Sequence, residues 1–262
     1  MSTANWIVET VGYVRRRLKQ SRFGRELVAR DLALRFPEAT PEELQTIVEV
    51  KPYTMTSPER LWALIQAVRY IHVRPIEGDV VECGVWRGGS SMAAALALKS
   101  MGDTGRQLWL FDTYEGMTRP SPDDRSIDSG EPAIDKWMRT KTGDDSSDWC
   151  WASVEEVRSN LERTGHPRHQ IRMIQGKVEE TLRVPANIPE RIAILRLDTD
   201  WYASTKTELE TLFDRLMPGG VLILDDYGTW AGAKKAVDEF LSTQAPHFMS
   251  RIDVTGRVLI KT

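Results

Sequence analysis

Short apolar runs alternate with amphipathic stretches over most of the chain after residue 79. Consecutive apolar positions are typical of strands that are buried on both faces, and they occur at 80–84, 107–112, 170–176, 191–198 and 221–226. Apolar residues at helical spacing predict helices over 88–102, 153–163, 202–216 and 231–241. Strands that alternate with helices indicate an α/β fold with a doubly wound, parallel sheet. Residues 247–262 predict an antiparallel C-terminal hairpin that turns at Thr255-Gly256.

Helical patterns alone precede the first strand. An amphipathic helix is predicted over 5–19, and two more helices begin at the pairs Thr40-Pro41 and Ser57-Pro58, where the hydroxyl residue caps and proline fits the first turn. The pattern divides the chain into a helical N-terminal region, residues 1–75, and an α/β domain, residues 76–262.

Residues 113–152 form a polar segment without an apolar period. Its length exceeds that of an ordinary connection in a compact domain, so the segment is either a lid or disordered. Trp149 and Trp151 favour a lid, because disordered segments seldom carry paired tryptophans.

The charge balance argues against a polyanionic partner. The 262 residues include 35 basic and 38 acidic side chains, and the net charge of −3 gives no bulk attraction to nucleic acid or to an anionic membrane. No apolar run approaches the roughly 20 residues that a bilayer requires, and the N-terminus lacks the apolar core of a signal peptide. Cys83 and Cys150 lack metal or redox spacing and are predicted to be free thiols. These features predict a cytoplasmic enzyme that acts on a small molecule.

A glycine-rich turn joins the first predicted strand to its helix in VVECGVWRGGSS. Gly84, Gly88 and Gly89 allow close approach of the backbone to a ligand, and the helix N-terminus offers unpaired N–H groups. Glu82 at the strand end is suited to an ammonium group. The spacing differs from that of dinucleotide-binding loops and P-loops, but it resembles the first motif of S-adenosylmethionine (SAM) methyltransferases. The alternative is a tight turn that binds nothing.

Four aspartates follow two strands that, if adjacent, bring them to one edge of the sheet. Asp198 and Asp200 follow the apolar run in ILRLDTD, and Asp225 and Asp226 end VLILDD. Open α/β sheets bind ligands at this edge, and so many carboxylates without a cation among them would raise the pKa of at least one. A hard divalent ion such as Mg²⁺ suits oxygen ligands without Cys or His. The alternative is that individual aspartates cap the following helices.

Three further groups of residues carry weaker signals. Asp112 ends the second predicted strand, where an acid can hold two ribose hydroxyls, although a solvated strand-end aspartate shows the same pattern. Thr54 and Met55 precede a predicted helix and, on the residues alone, are typical of an ordinary helix approach. The four histidines lack ligand spacing and are interpreted as surface or core residues: His72, His166, His169 and His247.

Four motifs in combination resemble one enzyme family. The metal-dependent sugar O-methyltransferases typified by the macrocin, mycinamicin and novobiocin deoxysugar enzymes share the order and spacing of GDVVECGVWRGGSSM, LWLFDTYEGM, LRLDTDWYAST and LMPGGVLILDDYG. The resemblance covers about residues 50–262. It implies a Rossmann-like class I methyltransferase core, SAM as methyl donor, Mg²⁺ as cofactor, a sugar hydroxyl as acceptor and often a homodimer built with N-terminal helices.

The resemblance also implies roles for single residues. The implied metal ligands are Asp198, Asp225 and Asp226, and Asp200 is the implied general base, which takes the proton of one of two adjacent hydroxyls. The implied SAM-binding positions are Thr54, Met55, Glu82, Gly84, Ser90, Asp112 and Gly176. Because residues 113–152 match the family poorly, acceptor selection is assigned to this segment, with Trp149 and Trp151 suited to stacking on a sugar face.

Other functions share part of the pattern. A sugar-nucleotide glycosyltransferase explains Asp198-x-Asp200 but requires neither Glu82-x-Gly84 nor a second acidic pair. A non-catalytic SAM-binding protein implies a degenerate metal site, whereas the four aspartates are intact. A catechol-type O-methyltransferase uses a similar set of carboxylates, so an aromatic diol competes with the predicted acceptor, a natural-product glycoside or a saccharide precursor with vicinal hydroxyls.

Overall fold

Three helices form the first part of the structure. The computed structural model describes residues 22–262, with side chains from residue 28 onward. The helices are α1 (Arg22–Arg35), α2 (Pro41–Val50) and α3 (Pro58–Val73). The sequence pattern did not predict α1, and the helix predicted over 5–19 lies outside the described residues.

The helix starts predicted at Thr40 and Ser57 are confirmed. Thr40 Oγ1 accepts a hydrogen bond from the N–H of Glu43 at 3.2 Å, and Ser57 Oγ accepts one from the N–H of Arg60 at 3.2 Å. Each hydroxyl therefore satisfies one N–H group that the first helical turn leaves unpaired.

The rest of the chain forms one seven-stranded sheet flanked by helices. Its elements are β1 (Asp79–Cys83), α4 (Gly89–Ser100), β2 (Leu108–Asp112), α5 (Ala133–Thr140), α6 (Val154–Glu162), β3 (Ile171–Gln175), α7 (Val178–Thr181), β4 (Ile192–Leu197), α8 (Tyr202–Leu212), β5 (Leu216–Leu224), α9 (Ala231–Ser242), β6 (Met249–Arg251) and β7 (Arg257–Ile260). The strand order is β3-β2-β1-β4-β5-β7-β6. The first five strands are parallel and β7 joins antiparallel to β5, so the predicted fold class is confirmed.

Strands β1, β4 and β5 are direct neighbours in the sheet. Glu82 on β1 lies opposite Arg196 on β4, and Leu197 on β4 lies opposite Leu224 on β5. The chain order reverses between β1 and β4, and open α/β sheets bind ligands at such a switch point. The adjacency required to bring the four aspartates together is therefore present.

The connection from α8 to β5 differs from the prediction. The helix was predicted to continue to Leu216 and to stop at MPGG, but α8 ends at Leu212 and a short 3₁₀ turn, Phe213–Arg215, follows it. Residues of MPGG lie inside β5, where the pairing with β4 shifts register between Ile192 and Ile194. Glycine and proline therefore form a bulge in the strand rather than a helix stop.

The two faces of the sheet bury separate apolar layers. On β4, Ile194 belongs to the layer formed with α1–α4 and α6, whereas Leu195 belongs to the layer formed with α7–α9. Alternation along the strand places Arg196 on the same face as Ile194. Arg196 is thus a charged side chain within a face that is otherwise apolar, and it is 2% exposed.

Residues 113–152 pack against the loops that follow β4 and β5. Trp137 on α5 is buried, and the buried side chain of Asp124 accepts a hydrogen bond from the N–H of Tyr202 at 2.8 Å. The N–H of Ile127 donates to the carbonyl of Thr229 at 2.8 Å. The segment is therefore tied to both aspartate-bearing loops, and it contains one helix, α5, that the polar pattern did not predict.

Two other expectations concern the chain as a whole. Among the described helices, none combines the length and apolarity that crossing a membrane requires. The division of the chain near residue 75 stays a prediction.

Candidate active site

A cavity of about 360 Å³ lies at the carboxyl ends of β1, β2, β4 and β5. Its size is within the range of small-molecule sites, which is roughly 300–1,000 Å³. All eleven residues predicted for the site line it: Thr54, Met55, Glu82, Gly84, Ser90, Asp112, Gly176, Asp198, Asp200, Asp225 and Asp226. The four histidines lie outside it, as expected.

Gly84 brings the ends of β1 and β4 into contact. It has φ of +83°, and a Cβ at this position would lie 1.9 Å from the carbonyl oxygen of Asp198. The N–H of Asp198 donates to the carbonyl of Cys83 at 2.8 Å. Only glycine permits this approach, which places Asp198 beside the glycine-rich turn.

We expect Gly84→Ala to destabilise the fold and to disrupt the cavity together. The left-handed backbone alone costs about 1–3 kcal/mol for a residue with a Cβ, and the clash with Asp198 adds to that cost. Urea unfolding measures the stability. Gly102→Ala is the control, because Gly102 also has positive φ but a Cβ added there would meet no atom within 4 Å. Equal losses in the two variants would contradict the role given to the contact with Asp198.

Thr54 and Met55 are placed by a second close approach. A Cβ on Gly89, the first residue of α4, would lie 2.7 Å from Thr54 Cβ and 2.7 Å from the carbonyl oxygen of Tyr53. The absence of a side chain at Gly89 allows the segment before α3 to cover the start of α4. This contact explains why a stretch with the pattern of an ordinary helix approach contributes to the cavity.

Asp112 orders the glycine-rich turn from the end of β2. Its Oδ2 accepts hydrogen bonds from the N–H groups of Val85 at 2.6 Å and Trp86 at 2.9 Å, and its Oδ1 accepts from Tyr114 at 2.8 Å. Burial raises the pKa of Asp112, and these backbone donors oppose the rise. A carboxylate offers about four acceptor positions, so these bonds leave little of it for the ribose contact that the sequence predicts.

Three aspartates converge where β4 and β5 end. Asp198, Asp225 and Asp226 each offer a carboxylate oxygen, and the three oxygens lie within 4.8 Å of one another. Asp225 is buried and Asp226 nearly so, whereas Asp198 is partly exposed to the cavity. The three predicted metal ligands are thus close enough to hold one ion.

Two arginines contact this cluster. The guanidinium of Arg196 donates to Glu82 Oε1 at 2.7 Å, to Asp198 Oδ2 at 2.8 Å and to one oxygen of Asp225. The guanidinium of Arg60, on α3, donates to the other oxygen of Asp225. Two guanidinium groups therefore neutralise part of the negative charge of the carboxylates.

Asp200 and Asp226 form a hydrogen-bonded pair. The N–H of Asp200 donates to Asp226 Oδ2 at 3.2 Å, and their side chains are also hydrogen-bonded. Burial, reinforced by the negative charge of Asp198, raises the pKa of Asp200 to about 7. Burial and the charge of Asp200 raise the pKa of Asp226. The pair therefore retains a proton when no cation lies beside it, and Asp200 has the proton affinity of a general base.

The backbone of Asp200 adopts a left-handed conformation, with φ of +67°. Asp tolerates this region better than most residues, but the conformation still has a cost. With this backbone, Asp200 lines the cavity and its carboxyl group is hydrogen-bonded with Asp226.

Three indoles form a wall beside Asp200. The ring centroids of Trp149, Trp201 and Trp230 lie 5.6 Å (Trp149–Trp201), 5.9 Å (Trp149–Trp230) and 5.1 Å (Trp201–Trp230) apart. Trp230 also forms a side-chain hydrogen bond with Asp200. Trp149 and Trp230 line the cavity, so an aromatic surface borders the predicted base.

The two tryptophans predicted for acceptor stacking have different positions. Trp149 lines the cavity, and Lys136 Nζ lies 3.9 Å from its ring centroid. Trp151 is 53% exposed and does not line the cavity. Cys150 between them has a left-handed backbone, with φ of +55°.

Comparison with known proteins identifies the family. A sequence profile of the macrocin O-methyltransferase (TylF) family matches residues 41–261. The chain belongs to this family. It is therefore a SAM-dependent O-methyltransferase, which confirms the resemblance and excludes both the glycosyltransferase and the non-catalytic alternatives.

Relatives that share more than 30% sequence identity with the chain are also O-methyltransferases. The chain is 36% identical over 221 residues to the 8-demethyl-8-(2,3-dimethoxy-alpha-L-rhamnosyl)-tetracenomycin-C 4'-O-methyltransferase of Streptomyces olivaceus, across 84% of this chain and 80% of the relative. It is 32% identical over 188 residues to the mycinamicin III 3''-O-methyltransferase of Micromonospora griseorubida, across 72% of this chain and 70% of the relative. The O-methyltransferase NovP has a similar structure, with a TM-score of 0.67, 29% identity and coverage of 80% of this chain and 82% of NovP.

Several functional residues of this methyltransferase were missed by sequence reasoning. They are Arg60, Lys136, Arg196 and Trp230, all of which line the cavity or contact its carboxylates. A signal existed for Arg196: it interrupts the apolar run ILRL, and a charge in a strand that is buried on both faces has to be paired. Arg60 and Lys136 lie on elements whose proximity to the site depends on tertiary packing, whereas Trp230 lies in the loop after β5 that also carries Asp225 and Asp226.

A further carboxyl group lies behind the aspartate loop. Glu208 on α8 is fully buried; its Oε2 accepts a hydrogen bond from Thr199 Oγ1 at 3.2 Å, and its carboxyl group is also hydrogen-bonded with the thiol of Cys83. Burial raises the pKa of Glu208 to about 8. At neutral pH this side chain is largely uncharged, and it supports Thr199 between Asp198 and Asp200.

Proposed function

We propose that this enzyme transfers the methyl group of SAM to a hydroxyl group of a sugar, with Mg²⁺ bound by Asp198, Asp225 and Asp226. The observation that carries the proposal is the placement of Asp200: it lies beside the three clustered aspartates, against an aromatic wall, in the cavity of a SAM-dependent fold. The 36% and 32% identical relatives are named for methyl transfer to glycosylated natural products, which favours a sugar acceptor.

The donor half of the cavity has groups suited to SAM. Gly84 and Gly89 allow Asp198 and Thr54 to pack closely around this half, and Ser90, in the first turn of α4, adds an N–H at the helix N-terminus for a carboxylate. Glu82 provides a carboxylate for the ammonium group. Gly176, after β3, lines the end of the cavity that we assign to the adenine.

The charge balance of the opposite half fits a divalent cation. Four carboxyl groups, those of Asp198, Asp200, Asp225 and Asp226, face two guanidinium groups, and the ammonium group of Lys136 also acts on Asp200, which leaves one negative charge in excess when all are ionised. The excess is greater in effect because the guanidinium of Arg196 is shared with Glu82. The raised pKa of Asp226 is consistent with the cost of that excess. Oxygen ligands without Cys or His favour Mg²⁺ over softer metals, and bound Mg²⁺ would supply Lewis acidity that lowers the pKa of an acceptor hydroxyl.

Proton removal falls to Asp200 in this mechanism. Asp200 accepts the proton of the acceptor hydroxyl, and the hydroxyl oxygen forms a bond to the SAM methyl carbon as the bond from that carbon to sulfur breaks. S-adenosylhomocysteine (SAH) leaves as the second product. Positioning of the two reactants provides most of the catalysis, which is worth roughly 7–11 kcal/mol in favourable cases.

The acceptor is assigned to the aromatic side of the cavity. Trp149 and Trp230 offer apolar surface for the C–H face of a sugar ring, and Lys136 and Asp200 offer polar groups for its hydroxyls. This wall is built jointly by residues 113–152 and by the loops after β4 and β5. Within residues 113–152 we therefore assign acceptor stacking to Trp149 and no longer to Trp151.

A binding and turnover screen tests the proposed function. Isothermal titration calorimetry with SAH establishes donor binding, and methyl transfer is then assayed against deoxysugar glycosides, mannosides and catechols. Turnover of a glycoside is the expected result. Turnover of catechols alone would reassign the acceptor to aromatic diols.

We also expect metal removal to abolish activity. EDTA should eliminate methyl transfer and added Mg²⁺ should restore it, because the proposed mechanism relies on the ion for Lewis acidity at the acceptor hydroxyl. A control with EDTA saturated by Ca²⁺ before addition separates chelation from other effects of the reagent. Undiminished turnover in EDTA would refute the metal role.

Two further predictions from the sequence accompany this proposal. We expect a homodimer that involves the N-terminal helices, which light scattering of the full chain and of a variant lacking residues 1–21 would measure.

We also expect a cytoplasmic location, consistent with thiols at Cys83 and Cys150 that are not disulfide-bonded.

A further inference from the structure

The guanidinium of Arg196 lies between the donor half and the metal half of the cavity. Its Nη1 donates to Glu82 Oε1 at 2.7 Å and to Asp198 Oδ2 at 2.8 Å. Its Nη2 donates to Thr56 Oγ1 at 2.9 Å and to Asp225 Oδ1. Each Nη carries two N–H bonds, so all four are used, and Nη1 itself bridges a donor-side and a metal-side carboxylate.

The surroundings hold this guanidinium rigidly. The side chain of Arg196 is 3% exposed, and its partners come from four separate parts of the chain: β1, the loop after β4, the loop after β5 and the segment before α3. Glu82 is fixed from its other side by the hydroxyl of Ser91 on α4. A planar guanidinium with four fixed acceptors transmits a shift in any one of them to the others.

We propose that Arg196 is a positioning residue that couples donor binding to metal binding. This inference rests on the proposed function, in which Glu82 faces the donor and Asp198 and Asp225 hold Mg²⁺. Without the ion, one guanidinium serves three carboxylates. With Mg²⁺ on Asp198 and Asp225, these two carboxylates would share their charge with the ion, and the guanidinium would hold Glu82 more firmly in the orientation that the ammonium group of the donor requires.

The coupling has a defined sign. Mg²⁺ strengthens SAH binding, and by linkage SAH strengthens Mg²⁺ binding by the same factor. SAH is the appropriate probe because it lacks the sulfonium charge, so direct repulsion between donor and ion does not obscure the effect. We expect the SAH dissociation constant in EDTA to exceed that in Mg²⁺ by about fivefold or more.

Calorimetric titration of SAH, in EDTA and in Mg²⁺, tests the inference by comparing Arg196→Lys with the same substitution at an arginine outside the cavity. Lysine retains the charge but not the planar, forked set of donors. In Arg196→Lys, SAH affinity in EDTA should therefore fall about tenfold. The ratio of the SAH dissociation constant in EDTA to that in Mg²⁺ should fall below about twofold. The control is Arg106→Lys. Arg106 donates to Asp103 Oδ2 at 2.9 Å and to the carbonyl of Gly78, before β1, and it does not line the cavity.

Arg106→Lys should lose thermal stability, whereas its SAH affinity and its ratio of dissociation constants in EDTA and in Mg²⁺ should equal those of the wild type. Thr56→Val provides a milder variant if Arg196→Lys does not fold, since it removes one acceptor of Arg196 and leaves every carboxylate in place; its ratio should lie between those of the wild type and Arg196→Lys. Two results would overturn the inference. One is a ratio of SAH dissociation constants near one in the wild-type protein, and the other is a ratio in Arg196→Lys and Thr56→Val that equals that of the wild type. A wild-type protein that binds no SAH in either condition would instead overturn the proposed function.

Discussion

Asp200→Asn is expected to reduce kcat about 10²–10⁴-fold, the usual contribution of a general base. Asparagine has nearly the shape of aspartate but cannot accept a proton near neutral pH. The left-handed backbone at position 200 tolerates Asn as well as Asp. The loss should therefore appear in turnover and leave the dissociation constants of SAH and Mn²⁺ within a few-fold of the wild-type values.

Three measurements separate this outcome from a structural defect. Single-turnover methyl transfer gives the chemical rate, calorimetry gives the SAH affinity, and electron paramagnetic resonance gives the Mn²⁺ affinity. Asp238→Asn is a matched control: Asp238 accepts hydrogen bonds from Tyr227 and Lys234 on the surface, outside the cavity. Full activity in Asp200→Asn would remove Asp200 from the role of base, whereas loss of Mn²⁺ binding would make it a ligand.

The strands of the core could be predicted because their apolar runs are unambiguous. Val80 to Cys83 and Ile192 to Leu197 are buried on both faces, and the sequence places each within one or two residues of its observed bounds. The end of α8 could not be predicted, since helical spacing continues to Leu216. Pairing with β4 draws Leu216 into the sheet instead.

The acidic residues of the site were predictable, and the sequence carried a signal for Arg196, whereas the contact with Arg60 could not be predicted. Strand ends place Asp198 and Asp225 at one edge in any parallel sheet, so adjacency of β4 and β5 suffices to bring them together. Arg60 contacts Asp225 from α3, 165 residues away in the chain. No periodicity links residues at such a separation; that contact depends on how α3 packs against the sheet.

Trp230 illustrates the same limit for the acceptor side. The tryptophans at 149 and 151 were chosen because they lie in the polar segment, and a sequence pattern cannot tell which indole faces inward. Trp230 lies in the loop after β5, bridged to Ser126 of the segment. The aromatic wall can therefore be identified only from the packing of residues 113–152 against the sheet.

Asp226→Asn is expected to abolish metal binding without loss of stability in the metal-free protein. Within the described residues, the Asp226 side chain has hydrogen bonds only with Asp200 and none with an arginine. Burial raises its pKa in the folded state, so between its ordinary value of 3.8 and the raised value the folded state holds a proton that the unfolded state has released. Stability therefore falls as pH rises through this range, and a neutral Asn does not contribute to that fall.

Asp225→Asn should behave differently, although it removes an equivalent carboxylate. Both oxygens of Asp225 accept hydrogen bonds from guanidinium groups, those of Arg60 and Arg196. Loss of the charge removes one carboxylate partner from the buried Arg196 and one from the partly buried Arg60, although Arg60 keeps Asp253 and Arg196 keeps two others. The cost should therefore be below the roughly 3–5 kcal/mol of a fully broken buried pair. Both variants should lose Mn²⁺ affinity in paramagnetic resonance titrations.

Urea unfolding in EDTA at several pH values separates the two variants. Asp226→Asn should match or exceed the wild-type stability at pH 8, with an advantage that grows from pH 5 upward, whereas Asp225→Asn should be less stable throughout. A stability loss in Asp226→Asn equal to that in Asp225→Asn would show that Asp226 is held by contacts other than those described. In the proposed mechanism the carboxylate that destabilises the metal-free fold also holds the ion, so we expect the free energy lost to burial of Asp226 to be recovered when the cation binds.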